Sequence, residues 1–247
     1  MTSNTVKNSK HSILNEMVKA GIHFGHSKSE WNPKMMPYIY REKNGIHIID
    51  IIQTYYYIQT VSQFLEQAAT QGKTVLFVGT KKQASQTVKD IAQECNTLFV
   101  NKRWLGGLLT NWLNIKKSIL RLNALQNIDK FKYLSKKEST RLYNKRKRLE
   151  KYVGGLTQMT RLPDIVIIIG QTRELNAVYE CRKLGLRTIT ILDTNCDPLL
   201  ADLFIPANDD SIQSIKWILK KLAASINKGY LRYNSIQQKK KYIQSRR

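Results

Sequence analysis

The stretch DIVIII, residues 164–169, is the part of the sequence that decides the fold class. Its aspartate is followed by four isoleucines and one valine in an unbroken run. β-Branched side chains favour extended backbone, and a run that is apolar at every position is typical of a strand buried on both faces. Such strands lie inside parallel sheets that helices cover on each side. We therefore expect residues 164–169 to form a central strand of a covered sheet.

Short apolar stretches of the same kind recur on both sides of residues 164–169, and segments with helical periodicity separate them. This alternation predicts an α/β fold with a doubly wound parallel sheet and helices on both faces. The predicted strands are residues 46–49, 73–78, 98–100, 164–169, 187–192 and 203–205. The predicted helices are a first helix capped by Ser12, residues 51–70, 81–95 and 173–184, the last ended by Gly185, and a final helix capped by Asp209.

The middle of the chain breaks this alternation, because its apolar residues recur at intervals of four and three, which is a heptad seam. A polar interruption at residues 127–134 follows, and Ser135 with Glu138 forms a capping box that opens a second helix, which Gly154 ends. Neither helix has enough apolar surface to enter the main core. We therefore expect an antiparallel coiled-coil hairpin that projects outward. The seam consists of Leu108, Trp112, Ile115, Ile119 and Leu122.

These boundaries divide the chain into three parts. Residues 1–107 and 156–227 are predicted to form the α/β sheet domain, which includes an N-terminal arm and a loop. Residues 108–155 are predicted to form the helical hairpin inserted into it. Residues 228–247 are a basic C-terminal tail without an acidic residue. We expect this tail to become ordered only on binding.

The balance of charges is the main functional signal in the composition. The 247 residues include 41 Lys and Arg but only 18 Asp and Glu, which gives a formal net charge of +23. A surface that repels itself so strongly needs a polyanion nearby, and nucleic acid is the usual one. No apolar run approaches the roughly 20 residues of a membrane span, which argues against a membrane protein.

Cysteine usage and the N-terminus bear on the compartment. Cys95, Cys181 and Cys196 are far apart and form no CxxC pair, so they indicate buried thiols in a reducing compartment. The N-terminus lacks the apolar core of a secretory signal. It is basic and contains Ser and Asn, which leaves a transit peptide open, but helix-like sequence begins too soon to favour one.

One segment, NKRWLGGLLTNW at residues 101–112, combines a basic pair, two tryptophans and a diglycine. Tryptophan rings can stack on bases, and glycines allow close backbone approach to a ligand. The alternative, at about equal weight, is a helix start whose tryptophans anchor the core.

The predicted RNA contacts extend beyond this segment. Four successive cations on the second hairpin helix would repel one another unless phosphates lay alongside, and the alternative is a solvated helix face. Residues 20–45 are expected to form a long loop, and its aromatic-rich part from Trp31 to Tyr40 is expected to wedge against RNA. The predicted contacts are Lys28, Trp31, Lys34, Arg41 and Lys43 in that loop, Lys81 and Lys82 at a helix start, Lys102, Arg103 and Trp104 in residues 101–112, and Lys145, Arg146, Lys147 and Arg148 on the hairpin.

An enzyme is the competing class. VGTKKQAS, residues 78–85, places a glycine and two lysines between a strand and a helix, where phosphates often sit, but it matches no phosphate-loop or dinucleotide motif. His23 and His26 have the spacing of a metal pair, although packing or phosphate contact is favoured. We predict no catalytic set, cofactor, metal or small-molecule substrate. Five aspartates could form a metal cluster, although capping and turn roles are favoured: Asp193, Asp197, Asp202, Asp209 and Asp210.

Seven ordered blocks within residues 13–229 resemble the family of the second protein of the small ribosomal subunit, of bacterial and organellar type. The blocks are AGIHFGHSKSEWNPKMMPYIY, NGIHIID, VLFVGTKKQAS, FVNKRWLGGLLTNW, GGLTQMTRLPDIVII, DTNCDP and IPANDDSI. The resemblance implies a three-layer, flavodoxin-like sheet domain with a projecting coiled-coil hairpin and no enzymatic activity. It also implies binding to small-subunit ribosomal RNA and contact with neighbouring subunit proteins, among them the large first protein of the subunit.

The strings TRLPDIVII and DTNCDPLLADLFIPANDD are most similar to plastid members of that family. The abundance of Ile, Lys, Asn and Tyr is typical of an A/T-rich genome. Together these features imply a plastid ribosome and a plastid-encoded protein, with bacterial cytoplasm and mitochondrion as the alternatives. The tail after Gly229 is longer and more basic than the family pattern, so no site assignment transfers to it.

Overall fold

The computed structural model describes residues 2–126 and 135–244, and a parallel five-stranded sheet lies at its centre. The helices are α1 (Thr2–Lys19), α2 (Ile51–Thr70), α3 (Lys82–Glu94), α4 (Trp112–Gln126), α5 (Lys136–Val153), α6 (Leu175–Lys183) and α7 (Ile212–Gln244). The strands are β1 (Phe24–Ser27), β2 (Ile39–Lys43), β3 (Ile46–Ile49), β4 (Val75–Val78), β5 (Leu98–Val100), β6 (Ile165–Ile169), β7 (Arg187–Leu192) and β8 (Leu203–Pro206).

The central sheet has the strand order β5-β4-β6-β7-β8, and each neighbouring pair is parallel. Numbered along the chain, this is the 2-1-3-4-5 order of flavodoxin-like folds. β6, from the DIVIII stretch, occupies the middle and is buried at every position. The predicted parallel α/β sheet is confirmed.

Helices cover both faces of this sheet because successive strand residues point to opposite sides. On one face, Phe77 and Ile167 pack into an apolar layer with α1, α2, α3 and α7. On the other face, Leu76 and Val166 pack into a second layer with α6 and with parts of α4 and α5. β5 lies at one edge of the central sheet, so side chains from the layers on both faces can meet beside this strand.

Local sequence explains where several helices begin and end. The Asp50 carboxylate caps α2 by accepting a hydrogen bond from the Ile52 N–H at 2.9 Å. Gly185 follows α6 with a φ of 64°, a conformation that suits glycine, and this end is the predicted one.

The prediction of one long loop over residues 20–45 is wrong. The segment contains β1 and β2, which pair antiparallel with β3 in the order β1-β3-β2, and a 3-10 helix (Pro33–Tyr38). Both strands are short and mostly exposed or half-buried, so they carry little apolar pattern. The chain turns between β2 and β3 at Asn44 and Gly45, both with positive φ, and this Asn-Gly pair is the hairpin signal in the sequence.

The middle of the chain forms two helices that pack against each other, α4 and α5. Residues 106–111 form turns, so α4 begins at Trp112 rather than at Leu108, which is buried beneath it. The capping box of Ser135 and Glu138 is present as predicted, and α5 ends before Gly154. The predicted polar interruption at residues 127–134 lies outside the described residues.

α1 is longer than predicted. It begins at Thr2, so Ser12 lies inside the helix and is not its cap. Ile13, Leu14 and Met17 pack onto the apolar layer of α2 as their spacing predicts. Across the described ranges, none of the helices has the length and apolarity needed to traverse a lipid bilayer.

α7 corrects two further predictions. Its first turn is capped by Ser211, whose hydroxyl accepts a hydrogen bond from the Ser214 N–H at 3.4 Å, so Asp209 is not the cap. The helix then continues through Gly229 to Gln244. Residues 228–244, which were expected to gain order only on binding, therefore continue the helix that begins at Ile212.

Candidate nucleic-acid interface

Residues 101–112 form a corner between β5 and α4, and one carboxylate on α6 organises it. The two oxygens of Glu180 accept hydrogen bonds from this corner. The donors are the Trp104 indole N–H at 2.9 Å, the backbone N–H groups of Gly107, Leu109 and Thr110 at 2.8, 3.0 and 3.1 Å, and the Thr110 hydroxyl at 3.1 Å. Burial alone would raise the pKa of Glu180, but these hydrogen bonds hold it below its ordinary value.

Trp104 is a core residue and not an RNA-stacking residue. Its side chain is 7% exposed and packs in the apolar layer with Leu108 and Val153. The structure therefore agrees with the alternative interpretation, in which this tryptophan anchors the core. Trp104 is not included among the RNA contacts proposed below. The role of Glu180 was not predicted from the sequence, because its hydrogen-bond donors lie about 70 residues away along the chain.

Lys102 and Arg103 project into solvent from the start of the corner. The preceding Asn101 is buried, and its amide donates to the Ser85 carbonyl at 3.1 Å, which fixes the backbone from which they project. Within residues 2–126 and 135–244, neither cation forms an ion pair.

α5 carries the densest run of cations. Lys145, Lys147 and Arg148 are exposed, and Arg146 is half-buried. None of the four forms an ion pair with a residue that the structure describes. Like charges at neighbouring helix positions repel one another, so this run favours an anion alongside it.

A groove of about 540 Å³ joins these two basic elements. It lies between α3 and α5 beside the edge strand β5, and it contains Lys102 and Lys147 from the predicted set. Lys89 and Lys151 also line it and were not predicted as contacts. Lys147 and Lys151 are four residues apart and so share a helix face. The sequence does not show that this face lies opposite Lys89, because that depends on how α5 packs.

The predicted contacts near the N-terminus divide into paired and unpaired cations. Lys28 forms an ion pair with Glu42 at 2.8 Å, and Lys34 forms one with Asp197 at 2.7 Å. Trp31 is half-buried, with its ring centroid 5.2 Å from that of His47. Two further predicted contacts lie exposed on β2 without an ion pair in the described ranges: Arg41 and Lys43.

Lys81 is not available to phosphate. Its ammonium lies 2.6 Å from an Asp209 oxygen and 3.0 Å from an Asp210 oxygen, and the side chain is only 12% exposed. Burial alone would lower the pKa of Lys81, but the two carboxylates raise it above its ordinary value. The neighbouring Lys82 is exposed and remains in the predicted set.

Carboxylates at this end of β4 also argue against a nucleotide site at residues 78–85. Glu174 accepts a hydrogen bond from the Thr80 N–H at 3.0 Å, so this strand end faces carboxylates where a phosphate would need donors. Asp209 is buried, and burial followed by repulsion from Asp193 raises its pKa to about 6. An enzyme that binds a nucleotide there finds no support in this geometry.

His26, Asp209 and Asp210 present ligand atoms within 4.8 Å of one another, a donor set that could hold a metal ion. The Lys81 ammonium already forms an ion pair with each of these two carboxylates. A hydrogen bond to Asp193 raises the pKa of His26, against the opposing effect of burial. The remaining aspartates have local roles: Asp197 caps the 3-10 helix Pro198–Leu200, and Asp202 accepts hydrogen bonds from Thr188.

The three cysteines are buried and unpaired, as predicted. Burial raises the pKa of Cys95 to about 11 and that of Cys181 and Cys196 to about 12. A thiol with so high a pKa is a poor nucleophile at neutral pH, so these residues act as apolar packing groups.

The fold and its basic surface define a class, an α/β protein with a surface that suits a polyanion. Its cations on β2, at residues 101–103 and at Lys145 to Arg148 have no ion pair within residues 2–126 and 135–244. The family model for Ribosomal protein S2 matches residues 17–229. The chain therefore belongs to the Ribosomal protein S2 family, whose members are structural proteins and not enzymes.

Individual relatives agree with this assignment. The chain is 54% identical to the small ribosomal subunit protein uS2c of Oltmannsiellopsis viridis over 92% of this chain and 97% of that protein. It is 51% identical to uS2c of Chlorella vulgaris, over 89% of this chain and 83% of that protein. It is 50% identical to uS2 of the cyanobacterium Synechococcus sp. (strain JA-2-3B'a(2-13)), over 87% of this chain and 83% of that protein.

Proposed function

We propose that this chain is a structural constituent of the small ribosomal subunit and that it binds the RNA of that subunit. The observation that carries the proposal is the distribution of its charges. Lys81 and Lys34 form ion pairs with carboxylates of the same chain, whereas the cations on α5 and at Lys102 and Arg103 form none with the residues that the structure describes. A cluster of exposed cations without internal partners binds phosphate at little cost in broken ion pairs.

The proposed contacts follow from this division. Lys28 and Lys34 are secondary contacts, because each shares its charge with one carboxylate. Trp31 packs its half-buried ring near His47 and supports the β1–β3 sheet from which neighbouring cations project. The primary contacts are Arg41, Lys43, Lys82, Lys102, Arg103, Lys145, Arg146, Lys147 and Arg148.

We further propose that residues 108–155 form an antiparallel coiled-coil hairpin that projects from the sheet domain of residues 1–107 and 156–227. The packing of α4 against α5 supports this proposal. Near the sheet, Ile119 and Val153 are buried in the shared apolar layer, whereas Leu120 and Tyr143 are exposed. Residues 228–244 then form the basic end of the last helix of the sheet domain.

The proposed location is the plastid ribosome, with the protein encoded in the plastid genome. The identity of 48–54% to plastid proteins named uS2c, of which that of Oltmannsiellopsis viridis is 54% identical, supports this location. The cyanobacterial proteins at 48–50% identity make the bacterial cytoplasm the competing assignment. The proposed protein partners are neighbouring small-subunit proteins, including the large first protein of the subunit.

A salt titration tests the RNA-binding mechanism. The logarithm of the binding constant for a small-subunit ribosomal RNA transcript should fall linearly with the logarithm of salt concentration, by about 0.7–0.9 for each phosphate contact. Replacing Lys102 and Arg103 with glutamine should make that slope shallower. The matched control replaces Lys216 and Lys220, two exposed lysines of α7, in the same way. A flat salt response of the unmodified protein would contradict the mechanism.

Sedimentation tests the ribosomal role itself. In a gradient of plastid lysate, the protein should travel with the small subunit and be absent from the soluble top fractions. Recovery at the top of the gradient under conditions that keep subunits intact would show that the protein is not a subunit component.

A further inference from the structure

We propose that the groove between α3 and α5 binds a segment of RNA backbone and that the bound RNA fixes α5 against the sheet. This inference rests on the proposed function and deepens it, because it assigns RNA binding to a particular cleft. It also gives the cleft a mechanical role that a dispersed basic surface would not have.

The groove is built from two separate parts of the structure. Lys89 on α3 and Lys102 after β5 belong to the sheet side, and Lys147 and Lys151 belong to α5. Among the described residues that line the groove, Glu150 supplies the single carboxylate. Four lysines therefore line one groove from two sides, with one carboxylate among the lining residues.

This arrangement makes the position of α5 depend on an anion. Without one, the lysines of α5 and those of the sheet side repel each other across the groove, which favours an outward displacement of the helix. A phosphate between the two pairs of lysines is attracted by both pairs. Its presence therefore replaces the repulsion between α5 and the sheet side with a net attraction. The Lys151 ammonium lies 5.4 Å from the centroid of the Tyr152 ring, a cation–π contact that orients one of these charges.

The donor set of the groove favours RNA backbone over an acidic peptide. Lysine ammonium groups and the amides of Gln86 and Gln93 can donate to phosphate and ribose oxygens, which are mainly acceptors. A bound peptide would also bring a backbone N–H at almost every residue, and each would need an acceptor. Glu150 is the one charged acceptor in this lining.

A filter-binding titration with the full small-subunit ribosomal RNA transcript tests the site. The variant K89Q/K151Q removes two groove charges that lie outside the proposed primary contacts. Its salt slope should be shallower than that of the unmodified protein by about 0.7–0.9 for each lost contact. The matched control K216Q/K220Q, which loses two exposed lysines of α7, should keep the original slope.

The outcomes separate the groove from the proposed function. If K89Q/K151Q binds like the control while the unmodified protein keeps a steep slope, the groove proposal fails and general RNA binding stands. If the unmodified protein itself shows no salt dependence, the proposed function fails. If a poly-glutamate peptide binds the unmodified protein alongside saturating RNA, but does not bind K89Q/K151Q, the groove is a protein site and the proposal is overturned.

The mechanical part of the proposal has its own measurement. Spin labels at Q83C on α3 and N144C on α5 report the distance between these helices by electron–electron double resonance, since the native cysteines are buried and do not react. RNA should narrow the distance distribution, and this narrowing should be lost in the K89Q/K151Q background. An unchanged distribution on binding RNA would show that the groove does not fix α5.

Discussion

Glu180 connects the corner at residues 101–112 to α6, and its negative charge allows one side chain to accept hydrogen bonds from donors of four residues. Replacing it with glutamine leaves one acceptor oxygen and places an amide opposite the N–H groups of Leu109 and Thr110. We expect E180Q to lower the free energy of unfolding by about 1–3 kcal/mol. Urea denaturation measures this loss, and E94Q, at an exposed glutamate at the end of α3, is the control.

The effect of E180Q should also depend on pH. The folded-state pKa of Glu180 lies below its ordinary value of 4.5, because the hydrogen bonds outweigh burial. The contribution of its charge is therefore complete above the unfolded-state pKa and declines as pH falls through the folded-state pKa. The difference in stability between the unmodified protein and E180Q should shrink below pH 4.5. A constant difference down to pH 3 would show that the charge of Glu180 is not what stabilises the corner.

Gly155 is required by close packing at the edge of the sheet. A Cβ atom built on it would overlap the carbonyl oxygen of Phe99 on β5 and lie 2.7 Å from the Phe99 ring. We expect G155A to destabilise the protein by about 1–3 kcal/mol, measured as a lower urea midpoint. The adjacent G154A is the control, since its Cβ would meet only Glu150 Cγ at an ordinary 3.6 Å. Equal midpoints for the two variants would contradict this account.

At the scale of elements, the capping box of Ser135 and Glu138 begins α5. Removing the hydroxyl in S135A should cost about 1 kcal/mol in the first turn of this helix. Because the loss is local, hydrogen exchange of the amides at the start of α5 should accelerate while the sheet strands keep their protection. S139A, one turn later and equally exposed, should leave exchange unchanged. Acceleration spread over β4 and β6 would mean that α5 and the sheet unfold together.

Elements with a strong periodic pattern were predictable, and those without one were not. β6 and α2 follow directly from an unbroken apolar run and from an amphipathic period. β1 and β2 were missed because they gain their stability from pairing with β3 and from the Asn-Gly turn, and not from their own apolar content. The start of α7 was misplaced because Asp209 resembles a helix cap, whereas its carboxylate pairs with Lys81.

The sequence predicts which cations the candidate site contains, but it does not predict how they are arranged in space. The sequence identifies the cations on α5 and at Lys102, because a run of like charge is visible without a structure. It cannot separate Lys81, which two carboxylates neutralise, from Lys82, which is exposed beside it. That distinction arises from tertiary packing between α3 and the segment before α7. The contribution of Lys89 to the groove is invisible for the same reason.

At the scale of the whole molecule, the formal net charge of +23 is distributed unevenly. Carboxylates are paired with cations near the carboxyl end of the sheet, whereas the run from Lys145 to Arg148 on α5 has no ion pair in the described ranges. Folding therefore neutralises one side of the sheet and leaves α5 strongly positive. Ionic strength should consequently affect RNA binding far more than it affects the stability of the sheet.

This asymmetry predicts that the four cations of α5 can be removed without unfolding the protein. The variant K145Q/R146Q/K147Q/R148Q should keep the urea midpoint of the sheet, because these side chains lie outside both apolar layers. Its slope against salt should be shallower by about 0.7–0.9 for each lost phosphate contact, and its incorporation into small subunits, measured by sedimentation, should fall. A variant with four exposed cations of α7 and α6 replaced, K216Q/K220Q/R182Q/K183Q, controls for the loss of net charge. If the α5 variant instead keeps the original slope and enters subunits normally, these four cations do not contact phosphate, and the proposed RNA contact of α5 is wrong.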